Sequence, residues 1–185
     1  MDTVLISSLW LPIVVSTVIV FIASFVAWMV LPHHRSDWSK LPDEEGVRGA
    51  VRGVAPGQYT IPHAATSDDW KSQEWIEKAK EGPNAFLIVI PSGPPRMGKS
   101  LALWFIYCLV ISIFVAYLTG RTVAPGSHYL GVFRVAGVVA FLAYSAAHVQ
   151  GAIWFGHSWS RTIKDVIDGL VYGLLTAGVF GWLWP

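Results

Sequence analysis

Long apolar runs divide this chain into four segments of membrane-spanning length. A helix rises about 1.5 Å per residue, so about 20 mostly apolar residues are needed to cross about 30 Å of hydrocarbon. The segments that meet this requirement are 3–31, 100–119, 129–150 and 166–185. The first two contain no charged residue, whereas the third contains Arg134 and the fourth contains Asp168. The pattern predicts an all-α integral membrane protein with four transmembrane helices.

A polar stretch separates the first span from the other three. We therefore divide the chain into a first transmembrane helix over 1–31, a loop-rich segment over 32–99, and transmembrane helices two to four over 100–185. The middle segment is rich in Pro, Gly and charged residues, which is typical of loops.

Short elements are expected within this middle segment. Ser67 as a cap and the Gly82-Pro83 pair as a stop predict a short helix over 68–81. Apolar and branched residues predict one or two short strands, over 58–61 and 85–90.

The distribution of Lys and Arg predicts the orientation in the membrane. Nine of the 13 Lys and Arg residues lie in the segment 32–99, and only Arg121 lies between the second and third spans. Positive charge concentrates on the cytoplasmic side of membrane proteins. We therefore expect a multi-pass protein of the cell (inner) membrane, with residues 32–99 in the cytoplasm and both termini outside. The uncharged start of the first span lacks the basic region of a signal peptide, so we interpret it as a retained helix.

Composition excludes several classes of partner. Charged residues make up 14% of the chain, against about 25% in soluble domains. The net charge of +1 gives no basic footprint for nucleic acid. The single cysteine, Cys108, cannot form an internal disulfide or a thiolate zinc site. Membrane lipids and other membrane subunits are the partners that remain.

Residues 93–100 match the phosphate-loop pattern G-x-x-x-x-G-K-[ST]. Such a loop binds phosphate through consecutive backbone N–H groups, and Pro94 and Pro95 have none. The match runs from Gly93 to Ser100, and the helix that follows it is the second span. We therefore expect no nucleotide site.

Small residues recur every four positions along the fourth span, at Gly169, Gly173, Ala177 and Gly181. This spacing places them on one face of the helix, where they allow another backbone to approach closely. The face could pack on the third span as an antiparallel hairpin or on a second copy of the chain.

Two charges within the spans are candidates for function, because ionisable groups are costly in a bilayer. Arg134 is expected to reach the outer surface or the carboxylate of Pro185. Asp168 is expected to pair with Lys164, or with Asp165 and His148.

Most of the histidines fall on the predicted inner side of the membrane. Imidazole and carboxylate groups are common ligands of zinc, copper and iron. A site for a metal or haem could therefore be assembled from several segments, with the candidates His33, His34, Asp37, His63, His148 and His157.

Three functions are compatible with these patterns. The first is a homo-oligomer or small accessory subunit without catalytic activity, which the small-residue face and the lack of a catalytic set favour. The second is an oligomeric channel or transporter that uses Arg134 and Asp168. The third is a metal- or haem-dependent membrane enzyme that uses the inner histidines. No cofactor is required by any motif in the chain.

Overall fold

The computed structural model describes residues 3–185 and divides the chain into two compact units. The larger unit combines the residues up to Trp38 with Arg96–Pro185, and the smaller unit is Ser39–Pro95. Along the described chain the elements are α1 (Trp10–Phe25), α2 (Glu44–Ala50), β1 (Gly57–Ile61), α3 (Gln73–Glu81), β2 (Ala85–Val89), α4 (Met97–Thr122), α5 (Tyr129–Phe155) and α6 (Trp159–Trp182). Short 3-10 turns cover Ile6–Leu9, His33–Ser36 and Asp69–Lys71, and a π-helical turn, Val26–Val30, follows α1.

Within residues 3–185, three helical stretches are long and apolar enough to cross a membrane. They are Ile6–Val30, Met97–Thr122 and Tyr129–Phe155, and they match the first three predicted spans. The 24-residue helix α6 occupies the fourth predicted segment. It is more polar, because Arg161, Lys164, Asp165 and Asp168 all lie in its first half. The described part of the chain is thus mostly helical, with three helices suited to a membrane and one small sheet.

Small polar side chains join α1 to α4. Pro12 lies in the first turn of α1, where its missing N–H needs no acceptor. The hydroxyl of Ser16 donates to the Pro12 carbonyl at 2.6 Å and lies 3.1 Å from the hydroxyl of Ser112. Further along, the Trp104 indole donates to Ser24 at 2.7 Å. These contacts satisfy buried polar groups between two otherwise apolar helices.

The small-residue face of α6 lies against α5. A Cβ added to Gly173 would lie 3.0 Å from the backbone nitrogen of Phe141, and one added to Gly169 would overlap Ser145. Ala177 faces Gly137, where an added Cβ would lie 3.1 Å from the Cβ of Ala177.

The same face continues to the end of the hairpin. A Cβ added to Gly181 would lie 2.7 Å from the ring of Tyr129. The contacts run in opposite directions along the two helices, so α5 and α6 form an antiparallel hairpin. Gly156, with a φ of 68°, ends α5 in the left-handed conformation that glycine favours. This face is therefore occupied within the chain.

Both ends of the described chain lie against the last turn of α4 or the residues that connect α4 to α5. The amide of Val4 donates to the Gly120 carbonyl at 2.9 Å, and the amide of Gly126 donates to the Pro185 carbonyl at 2.7 Å. The Trp184 indole donates to the Ala124 carbonyl at 3.0 Å. The C-terminal end of α1 and the connection between α5 and α6 lie at the opposite end of the bundle.

In the smaller unit, β1 and β2 pair as antiparallel strands in the register Gly57↔Val89 to Ile61↔Ala85. This confirms both predicted strands to within one residue. The predicted helix over 68–81 is interrupted, because α3 begins only at Gln73. The N-terminal cap of α3 is Ser72 instead of the predicted Ser67. The Ser72 hydroxyl accepts from the amide of Trp75 at 3.2 Å. The wrong assignment of the cap arose because both serines precede acidic and apolar residues at similar spacing.

Candidate functional site

A cluster of histidines and carboxylates forms where α1 ends. Pro32 follows the first span, and a 3-10 turn, His33–Ser36, then brings the chain back against α6. Asp168 lies in the third turn of α6 and is 8% exposed. Asp168 faces this turn, so its carboxylate meets the side chains of His33 and His34, which lie more than 130 residues earlier in the sequence.

The carboxylate of Asp168 contacts both histidines. Nε2 of His33 lies 3.2 Å from Oδ1, and Nε2 of His34 lies 2.9 Å from Oδ2. His34 is buried, whereas the His33 side chain is 31% exposed. We expected Asp168 to pair with Lys164, Asp165 or His148, and this expectation is wrong. The pairing depends on how α1 and α6 are rotated against each other, which sequence spacing along α6 does not reveal.

A second carboxylate orients His34 from its other nitrogen. Nδ1 of His34 lies 2.5 Å from Oδ2 of Asp37. The Lys164 ammonium donates to Oδ1 of Asp37 at 2.6 Å and to the hydroxyl of Ser36 at 2.9 Å. The Trp28 ring stacks on the His34 ring, with centroids 3.9 Å apart and planes 8° apart. These partners fix both the tilt and the rotation of the His34 ring.

These contacts shift the pKa values of His34 and Asp37. Burial disfavours the charged form of His34, but hydrogen bonds to Asp168 and Asp37 outweigh it and hold its pKa above the ordinary value. Burial also opposes the charged form of Asp37, yet the Lys164 ammonium and His34 hold its pKa below the usual range. An ionised carboxylate can only accept hydrogen bonds, so the two carboxylates favour a proton on each nitrogen of His34.

The arrangement fits a transition-metal site. Within residues 3–185, His33, His34 and Asp168 each offer a ligand atom, and these atoms lie within 4.8 Å of one another. Two imidazoles and one carboxylate are a ligand set used by catalytic zinc and by non-haem iron. A metal-bound histidine commonly donates its other N–H to a carboxylate, and Asp37 occupies that position behind His34. A metal would replace the proton on Nε2 and leave the contact with Asp37 in place.

The other predicted ligands lie elsewhere. His148 contacts Asp165 at 3.5 Å, and Arg161 contacts the same Asp165 oxygen at 3.7 Å. The exposed His157 ring lies over Gly151. His63 belongs to the smaller unit, where its ring lies 3.2 Å from the Thr60 hydroxyl.

Arg134 is exposed and forms no ion pair within residues 3–185. The carbonyl of Pro185, the residue that we expected to meet it, accepts from the amide of Gly126. Arg134 and Asp168 are therefore not joined in one polar site.

A half-open cleft of about 810 Å³ borders the cluster. Residues of α1, α4, α5 and α6 line it, and Asp168 and Trp28 belong both to its wall and to the cluster. Tyr144 and Tyr172 also line the cleft, and sequence reasoning missed them. Their signal was a phenol hydroxyl in the middle of an apolar helix, where a polar group needs a partner.

Comparison with known proteins gives no further guide: no family model, curated protein or solved structure matches this chain.

Proposed function

We propose that this chain is a four-span membrane protein that binds a divalent transition metal, of which zinc is the first choice, at His33, His34 and Asp168. The single observation that carries the proposal is the convergence of two imidazole Nε2 atoms on one buried carboxylate, with Asp37 on the far nitrogen of His34. The three side chains leave room in the coordination sphere for a further ligand. Asp168 also lines the cleft, so such a ligand would approach from there.

The fourth span of this proposal is α6. Its 24 residues extend about 36 Å at about 1.5 Å per residue, which is enough to cross a bilayer. Its charges lie near one end, where Asp168, Lys164 and Asp165 all have oppositely charged or histidine partners. The contacts of Val4 and Pro185 at the opposite end of the bundle support termini on one side of the membrane.

The charge distribution supports the rest of the topology. The segment 32–99 holds most of the Lys and Arg, which favours the cytoplasmic side of a cell membrane. The metal cluster would then lie at the cytoplasmic surface.

Zinc binding to purified protein tests the proposal. Metal-depleted protein in detergent is titrated with Zn²⁺, and Co²⁺ is used to report the ligand field. We expect one ion per chain, and we expect Asp168→Asn and His34→Ala to abolish this stoichiometric binding. The matched controls are His63→Ala and His157→Ala, which remove histidines that lie outside the cluster and should leave binding intact.

Two results would overturn the metal site. One is the absence of stoichiometric zinc in the wild-type protein. The other is equal loss of zinc from the control variants, which would show weak binding by scattered histidines. Either result would leave the cluster as an ion-paired link between α1 and α6.

The other two functions remain predictions. An accessory subunit or homo-oligomer would need a contact surface other than Gly169, Gly173, Ala177 and Gly181, because that face lies on α5. In a channel, Asp168 would have to separate from His33 and His34 and line a hydrated path.

A further inference from the structure

The cleft beside the metal cluster follows the direction of the helices that form it. Its lining extends from Phe21 to Met29 on the first span and from Met97 to Tyr107 on α4. The stretch of α4 corresponds to about 15 Å at about 1.5 Å per residue. The cleft therefore has the length of an extended hydrocarbon chain of about a dozen carbons.

The charged groups of the cleft lie toward one of its ends. Asp165 and Asp168 belong to the first half of α6, and His148 belongs to the last turns of α5, so all three lie on the side of the α5–α6 connection. At the other end the lining is apolar, and the Phe21 ring there packs edge-on against the Phe105 ring at 5.5 Å. One polar end and one apolar end are the features of a site for an amphiphile.

The rim of the cleft is open to the surroundings of the helices. Phe25, Met29 and Leu103 line the cleft and are 51%, 62% and 55% exposed. In a membrane such exposed positions of spanning helices meet lipid, so a chain can enter the cleft from the bilayer. Lipid tails are as apolar as this lining, so the chain itself gains little on entry. Recognition must therefore come from the polar end.

A bound metal sets the charge that the polar end offers to a ligand. Zn²⁺ carries two positive charges, Asp168 supplies one negative charge, and His33 and His34 bind a metal as neutral imidazoles. The other two carboxylates nearby have cationic or histidine partners, because Asp37 contacts Lys164 and Asp165 contacts Arg161 and His148. The metal centre thus keeps one positive charge and an open coordination position, and one further carboxylate would satisfy both.

We propose that the metal centre binds the carboxylate of a long-chain fatty acid, whose hydrocarbon chain lies in the cleft. The inference rests on the proposed metal site and names the ligand that completes it. The cleft volume of about 810 Å³ lies within the range of about 300–1,000 Å³ that is usual for small-molecule sites. Without the metal, the carboxylate of the fatty acid would face Asp168 and no free cation, so binding requires the metal.

The visible absorption of Co²⁺ tests this inference, because it changes when a carboxylate enters the coordination sphere. Full-length protein is loaded with Co²⁺ in phosphatidylcholine nanodiscs, which avoids detergent chains in the cleft. The probes are dodecanoic acid, dodecanol, which has the same chain without a carboxylate, and hexanoic acid, which has the carboxylate on a shorter chain. We expect a saturable spectral change with dodecanoic acid, none with dodecanol, and binding of hexanoic acid that is weaker by about tenfold or more.

Variants that fill the cleft separate its role from that of the metal. Ala147 is exposed and lines the cleft, so Ala147→Phe should weaken the binding of dodecanoic acid about tenfold. Leu103→Trp fills the cleft from α4 and should act in the same way. Ala146→Phe is the matched control, because Ala146 is equally exposed but lies outside the cleft lining, and affinity should stay within about twofold. One Co²⁺ ion per chain in each variant shows that the fold and the metal site are intact.

The outcomes separate this inference from the metal site on which it rests. Failure of the wild-type protein to bind one Co²⁺ ion per chain would overturn both. Stoichiometric Co²⁺ without a response to dodecanoic acid would overturn the fatty-acid ligand alone. Equal binding of hexanoic acid, or equal effects of Ala146→Phe and Ala147→Phe, would show a carboxylate on the metal without a chain in the cleft, and would also overturn it.

Discussion

Nε2 of His34 lies 2.9 Å from Oδ2 of Asp168, although 134 positions separate the two residues in the chain. The contact joins the end of the first span to the beginning of the last helix. It also places Asp168 between two imidazoles, since His33 lies 3.2 Å from the other carboxylate oxygen. A charge that is costly inside an apolar helix thereby becomes part of a buried polar network.

Asp37 should tune metal affinity without being a ligand. It contacts Nδ1 of His34, the nitrogen that faces away from Asp168. Asp37→Asn should keep the stoichiometry of bound zinc and weaken its affinity about tenfold, the usual effect of losing a carboxylate behind a histidine ligand. Titration against a zinc indicator measures both quantities. Asp165→Asn is the control, and complete loss of zinc from Asp37→Asn would instead make Asp37 a direct ligand.

Gly173 should be required for the close approach of α5 and α6. An added Cβ would lie 3.0–3.1 Å from backbone atoms of Phe141, so Gly173→Ala requires the backbone of α5 to shift by a few tenths of an ångström. We expect destabilisation by about 1–3 kcal/mol, measured by thermal unfolding in detergent. Gly131→Ala, on the same hairpin, meets nothing within 4 Å and should be neutral or slightly stabilising. Equal stability of the two variants would argue against this packing.

Single cysteines should report whether α6 crosses the membrane. In a Cys108→Ala background, Ser127→Cys and Pro185→Cys lie at one end of the bundle, and Ser158→Cys lies at the other. An impermeant thiol reagent added to intact cells should label the first two, and should label Ser158→Cys only after permeabilisation. Labelling of Ser127→Cys and Pro185→Cys from opposite sides would exclude α6 as a span.

Ser72 should hold the first turn of α3. Its hydroxyl accepts from the amide of Trp75, so Ser72→Ala should lose about 1 kcal/mol of local stability. Hydrogen exchange in the full-length protein should show faster exchange at the amides that follow. Ser67→Ala is the control and should leave exchange unchanged, because α3 starts after it. Faster exchange in Ser67→Ala alone would instead support Ser67 as the cap, as the sequence predicted.

Local patterns accounted for the long helices and for both strands. Runs of apolar residues located the stretches Ile6–Val30, Met97–Thr122 and Tyr129–Phe155, and the composition of residues 85–90 located β2. These features depend on neighbours within a few turns, so the sequence carries them directly. The four-residue repeat along α6 likewise indicated a close helix contact, although it left open whether α5 or another chain would fill it.

The site itself depended on tertiary structure. From the sequence, His33, His34 and Asp37 stood in one set of candidate ligands with His63, His148 and His157, and Asp168 stood apart from them as an intramembrane charge. The rotation and depth of α1 against α6 brought Asp168 to His33 and His34 and left His148 with Asp165. The sequence by itself determined which segments are helical and which faces are small or apolar. Only packing decided which polar groups meet. A buried charge pairs with whichever group of the neighbouring helix lies at the same depth in the bundle.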